Sequence, residues 1–143
     1  MARFEFSVEI PRPAAEIFPW LLEADKVKQW TSGLEKYEPQ GLIDRGTHIQ
    51  QILMVSGQRL TLDVVVVRHD PPTDAKTSFD AQGIEVLSAY RLVEAKGSTT
   101  LTQTVDANAD GLKARFLLPM LQPHLERKLE GDLQKLRETL AVS

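Results

Sequence analysis

The sequence predicts an α+β fold of order β-α-α-β6-α, a curved antiparallel sheet wrapped around a long C-terminal helix, and three observations carry that prediction. Most of the chain between residues 3 and 107 alternates apolar and polar side chains in short runs divided by Gly- and Pro-bearing turns. That is the period of strands with one wet face and one buried face. The pattern is interrupted once, at Pro11-Arg12-Pro13, by two short stretches with helical spacing. Residues 112 to 141 then carry leucines three or four apart, the stripe of an amphipathic helix. A sheet with one apolar face needs cover, and one long helix can supply it.

Taken in order, "RFEFSVEI" sets Phe4, Phe6, Val8 and Ile10 against Glu5, Ser7 and Glu9, which makes a first strand. Pro11 and Pro13 lack the amide hydrogen a central strand needs, whereas Pro13 suits the first turn of a helix. Ile17, Phe18, Leu21 and Leu22 form the stripe of that helix, with Pro19 close enough to its start to be tolerated. Asp25 is placed to cap a second short helix holding Val27 and Trp30, and Gly33 follows as a stop. Strands are expected at "LEKYEP" (34–39), "THIQQILMVS" (47–56), "RLTLDVVVVRH" (59–69), "KTSFDA" (76–81), "IEVLSAYRLVEA" (84–95) and "STTLTQTVDA" (98–107). Ser56-Gly57-Gln58, Gln82-Gly83 and Lys96-Gly97 read as tight turns, and Asp70-Pro71-Pro72 as a breaker. Connections this short make an antiparallel meander.

In the final helix Leu117, Leu121, Leu125, Leu129, Leu133, Leu136 and Leu140 form the apolar stripe. Glu126, Arg127, Lys128, Glu130, Asp132, Lys135, Arg137 and Glu138 are assigned to its wet face. Pro119 and Pro123 lie within the stripe, and an interior proline costs about 3 kcal/mol, so a kink or break is expected near 119–123.

At 143 residues the chain suits one domain, 1–143. Seventeen Lys and Arg against twenty Asp and Glu give a net charge of −3 with no basic run, which argues against a nucleic-acid partner. The chain has no cysteine, which excludes disulfides, thiolate metal sites and thiol nucleophiles. "MARFEFSVEI" alternates where a signal peptide needs a continuous apolar core, and no window is apolar enough for a membrane span. A cytoplasmic protein is the expectation.

The order of elements resembles the helix-grip fold of the START-like (SRPBCC) superfamily, which includes birch-pollen allergen relatives and polyketide cyclase/dehydrase-like proteins. The likeness is carried by "IPRPAAEIFPWLLEADKVKQW", "GLIDRGT", "VRHDPP", "YRLVEAKGSTTLT" and "LERKLEGDLQKLRETL", in that order along nearly the whole chain. It implies a cavity between sheet and terminal helix. Three functions then stand: binding of a small hydrophobic molecule (a lipid, polyketide or other aromatic), catalysis like that of cyclases and dehydratases, and a protein-binding role like that of chaperone ATPase activators.

The residues narrow the chemistry. His48, His69 and His124 have no ligand-like spacing, so neither a metal nor another cofactor is expected. Gly41 and Gly46 flank "LIDR" without the Lys-Ser or Lys-Thr pair of a phosphate cradle, and no Gly-x-Ser-x-Gly elbow is present. Strand parity sends Ile84, Val86, Ser88, Tyr90 and Leu92 inward together with Leu101, Gln103 and Val105, while Asp63 and Asp80 fall outside. Tyr90 and Gln103 are therefore the polar groups expected on the concave face, either as satisfied core groups or as ligand anchors. Trp30 resembles the superfamily's helix-pair tryptophan near the cavity end. Met120 and His124, one turn apart beside the prolines, are candidates for a cavity mouth, and His124 reads equally as a solvated residue. If the protein is an enzyme, Tyr90 and His124 are the candidate acid–base pair. The strand at 47–56 has apolar residues on both parities, and a second subunit covering its outer face, hence a homodimer, is one reading.

Overall fold

A computed structural model describes residues 2–142; Met1 and Ser143, the ends of the expected domain, lie outside the described residues. The strands are β1 (Ala2–Ile10), β2 (Leu34–Pro39), β3 (His48–Val55), β4 (Gln58–Asp70), β5 (Asp74–Ala81), β6 (Ile84–Ala95) and β7 (Ser98–Ala109). The helices are α1 (Ala14–Ile17), α2 (Pro19–Leu22), α3 (Ala24–Val27) and α4 (Leu112–Ala141). All seven strands join one antiparallel sheet in the order β1-β7-β6-β5-β4-β3-β2, curved about α4.

Three hairpins set the register. Val55 pairs with Gln58, Ala81 with Ile84 and Ala95 with Ser98, so each loop has two residues. In each loop, for example Lys96-Gly97 at φ 55° and 78°, both residues take positive φ, as a type I′ turn demands. Shifts of register between Leu34 and Lys36 and between Val66 and Arg68 insert single extra residues, and such bulges bend the strands that carry them.

The expected helix pair is in fact three single turns. Pro19 has no amide hydrogen with which to continue α1, and Glu23, extended at φ −75° and ψ 132°, ends α2. Glu23, not Asp25, occupies the N-cap of α3, and it makes no side-chain capping bond. Turns this short leave backbone groups unpaired, and tertiary partners satisfy several of them. The Glu94 carboxylate accepts the Ala14 N–H at 2.8 Å; the Trp30 indole donates to the Trp20 carbonyl at 2.9 Å, and the Tyr37 hydroxyl to that of Leu22 at 2.5 Å. Gly33 then turns the chain into β2. At φ +71° a Cβ there would stand 2.4 Å from the Met54 carbonyl oxygen, so only glycine fits.

Helix α4 runs through Pro119 and Pro123 without a break. Both prolines are exposed on its outer side, where water can bond the carbonyls that lose a donor. The grip is uneven. Leu133, Leu136 and Leu140 are 0–2% exposed, and burial of each contributes roughly 1.5–3 kcal/mol. In the N-terminal part only Ala114 and Leu118 are buried, while Leu117, Leu121, Leu125 and Leu129 are partly covered. The interior accordingly divides into a large cluster beneath the C-terminal half and a smaller one around Phe4, Val86 and Leu118. On β3 the ambiguity resolves: Ile49, Gln51, Leu53 and Val55 face the concave side, and Ile52 and Met54 on the other side are already half-buried.

Candidate functional site

Between the two clusters lies a cavity of about 120 Å³, walled by β2 to β7 and covered by α2, α3 and the middle of α4. Its wall is mostly apolar, with Leu22, Leu62, Val64, Phe79 and Leu129 among its residues. A second cavity of about 80 Å³ lies beside it under the N-terminal half of α4, and Leu53, Leu62, Phe79, Val86 and Leu125 wall both.

Polar groups interrupt this wall, foremost a cluster on β6 and β7. Gln103 of β7 is 2% exposed, and its register partner on β6 is Tyr90. The Gln103 amide nitrogen donates to Ser88 Oγ at 3.0 Å and to Tyr90 Oη at 3.3 Å. Its carbonyl oxygen Oε1 is buried and has no partner among the described residues. Turning the amide over would satisfy the carbonyl and strand the NH2 instead. Either way one end of a buried amide is left open, a loss of about 1–3 kcal/mol relative to a paired group. Ser88 and Tyr90 accept from Gln103 and bond each other, so one hydroxyl proton of the pair remains to be given elsewhere. Burial raises the Tyr90 phenol; a hydrogen bond with Ser88 opposes this, the nearby Asp132 charge adds to it, and the result is about 12. Tyr90 is thus protonated at any physiological pH.

Three groups at the site escaped the reading of the sequence. Tyr37 is 4% exposed and lines the cavity, its phenol pushed well above the ordinary range by burial first and by Tyr90 second. Asp132 and Lys128, assigned to the wet face of the last helix, are buried in the cavity wall. Lys128 Nζ stands 2.5 Å from Asp132 Oδ2, and Asp132 Oδ1 accepts the Ser32 N–H at 3.0 Å, tying α4 to the loop before β2. The signal for Asp132 was there: it stands at Leu125+7, Leu129+3 and Leu136−4, on the leucine face rather than opposite it.

Trp30, Tyr90 and Gln103 all line the cavity. Met120 and His124 do not. Met120 is 66% exposed, and His124 is exposed with its Nδ1 3.1 Å from the Arg127 guanidinium. Both project from the outer side of α4, because the buried face of that helix runs through Ala114, Leu118, Leu125 and Asp132. The cavity-mouth assignment of Met120 and His124 is therefore corrected, and with it the Tyr90–His124 acid–base pair. Among the described residues no three His, Asp or Glu side chains gather as a metal ion would require, and no helix is long and apolar enough to cross a membrane.

Against this geometry, a family model described as polyketide cyclase / dehydrase and lipid transport matches residues 1–141. No curated protein matches the chain. Among solved structures, TTHA0849 from Thermus thermophilus superposes with a TM-score of 0.81 at 14% identity, covering 99% of this chain and 100% of that one. The allergen Ara h 8.0201 gives 0.76 at 14% identity over 99% of both chains. The di-domain ARO/CYC protein StfQ from the steffimycin biosynthetic pathway gives 0.79 at 13% identity, covering 97% of this chain and 50% of that one. At identities this low the superpositions establish a shared fold alone.

Proposed function

Because the chain belongs to the polyketide cyclase / dehydrase and lipid transport family, we propose that its interior cavity binds one small, neutral, apolar molecule carrying a hydrogen-bonding group such as a hydroxyl. The observation behind this reading is the open end of the Gln103 amide, beside a pair of hydroxyls with one proton to give, in a cavity otherwise mostly apolar. A polar group left open at that cost, with its neighbours arranged around it, has the character of an anchor.

Size narrows the class. A cavity of about 150 Å³ lined by Leu, Ile and Phe holds benzene, so about 120 Å³ suits a compound of one ring. A multi-ring polyketide or an acyl chain would need Phe79 and Leu125 to swing aside and join the two cavities. Charge narrows it further. The one ammonium among the described residues of the wall, Lys128, is already paired with Asp132, and burying an unpaired carboxylate of the ligand would be costly. A protonated Tyr90 suits hydrogen-bond donation better than base catalysis.

Phenol and toluene are nearly the same shape and test the reading. In a purely apolar cavity toluene is favoured strongly, because phenol must give up its hydrogen bonds to water. Titration calorimetry is expected to give phenol an affinity equal to or above that of toluene, with benzoate not bound. A tenfold or greater preference for toluene, or no binding of either, would overturn the proposal.

A further inference from the structure

We propose that the outer ridge of the N-terminal half of α4 is a docking surface for an anionic lipid bilayer. Leu112, Phe116 and Met120 stand four residues apart and are 83%, 77% and 66% exposed, three of the largest exposures of apolar side chains in the chain. At 3.6 residues per turn they share with the exposed Pro119 and Pro123 a strip about 100° wide, directly opposite the buried Ala114 and Leu118. Lys113 flanks the strip on one side and Arg115 on the other, both exposed.

The charge pattern picks the occupant. From Leu112 to Pro123 there is no Asp or Glu, although the chain as a whole carries a net charge of −3. Arg3, Arg59, Arg68 and Arg91 each stand beside a carboxylate. Lys113 and Arg115 make no such pair among the described residues. An apolar ridge between unpaired cations is the arrangement of a helix that lies in a membrane interface, its apolar side chains at the acyl boundary and its cations among anionic headgroups. A second copy of the chain fits less well. Two-fold packing about Phe116 would set Lys113 and Arg115 against their own copies with no acid to offset them, and three large side chains fall short of the roughly 800 Å² per partner of a stable interface.

Co-sedimentation of the full chain with phosphatidylcholine vesicles, with and without phosphatidylserine, tests this. Binding to the phosphatidylserine vesicles alone is expected. It should fall at least fivefold in Phe116→Gln/Met120→Gln and equally in Lys113→Glu/Arg115→Glu, with thermal melting unchanged because all four side chains are exposed. High salt should release the bound protein. No binding to anionic vesicles would overturn the proposal, as would binding that survives either double substitution. A dimer in light scattering that Phe116→Gln/Met120→Gln dissolves, without vesicle binding, would assign the ridge to a second copy instead.

Discussion

Replacing Lys128 by alanine is expected to destabilise the fold by about 3–5 kcal/mol, the usual cost of leaving one member of a buried ion pair alone. The side chains of Lys128 and Asp132 are only 9% and 7% exposed, and they are 2.5 Å apart. Surface pairs at this helical spacing contribute a few tenths of a kcal/mol, because water screens both charges and already solvates them when apart. Here the carboxylate is enclosed. It keeps the Ser32 N–H without its lysine, but one hydrogen bond does not replace a counter-charge. The same reasoning makes the double replacement Lys128→Met/Asp132→Leu milder than Lys128→Ala, since it removes both charges and restores apolar contact. Denaturant unfolding of the wild type, Lys128→Met, Asp132→Leu and the double variant measures the coupling. With domain stabilities of about 5–15 kcal/mol, that loss is a large share of the total.

Tyr37 and Tyr90 are the two tyrosines of the sequence, and neither should ionise near the ordinary value of 10.0 while the protein is folded. Burial is the leading cause for both. A phenol whose value is higher in the folded state contributes stability that is complete below pH 10. That contribution is lost as pH rises from there toward the folded value, because the unfolded chain releases its protons first. For Tyr90, at about 12, the contribution is roughly 3 kcal/mol. Tyrosinate absorbance should therefore stay flat through pH 10 and then rise for both residues together with loss of the circular dichroism signal. Half of the total signal rising with its midpoint at about pH 10 in folded protein would show that one phenol meets solvent, and its burial in the cavity wall would be wrong.

Strand period and turn residues made most of this fold legible before the structure. Ser56-Gly57-Gln58, Gln82-Gly83 and Lys96-Gly97 marked the three hairpins, the first shorter by Gln58 than it read, and strand parity sent Tyr90 and Gln103 inward, where the register sets them opposite one another. Less was legible where a residue's cost depends on which way it faces. Pro119 and Pro123 read as a break because propensity charges them a full helix interior, yet on the outer side of α4 their missing donors matter little. Asp132 and Lys128 read as solvated because charged residues are seldom buried, although their positions put them on or beside the leucine face. Met120 and His124 were drawn to the cavity by nearness to those prolines. Their helical phase sets them outside. The cluster's central feature, an amide with one end unpaired, depends on distances between three strand residues that no periodicity encodes.

The most direct measurement is the ratio of phenol to toluene affinity in the wild type and in Gln103→Met, a substitution of similar length that takes away the amide. A shift toward toluene of tenfold or more is expected, since phenol then loses the open amide end that pairs with it, with a melting temperature only modestly changed because the unpaired end goes together with the two hydrogen bonds that Gln103 gives to Ser88 and Tyr90. An unchanged ratio, accompanied by a large loss of stability, would mean that Gln103 holds the sheet together and anchors nothing.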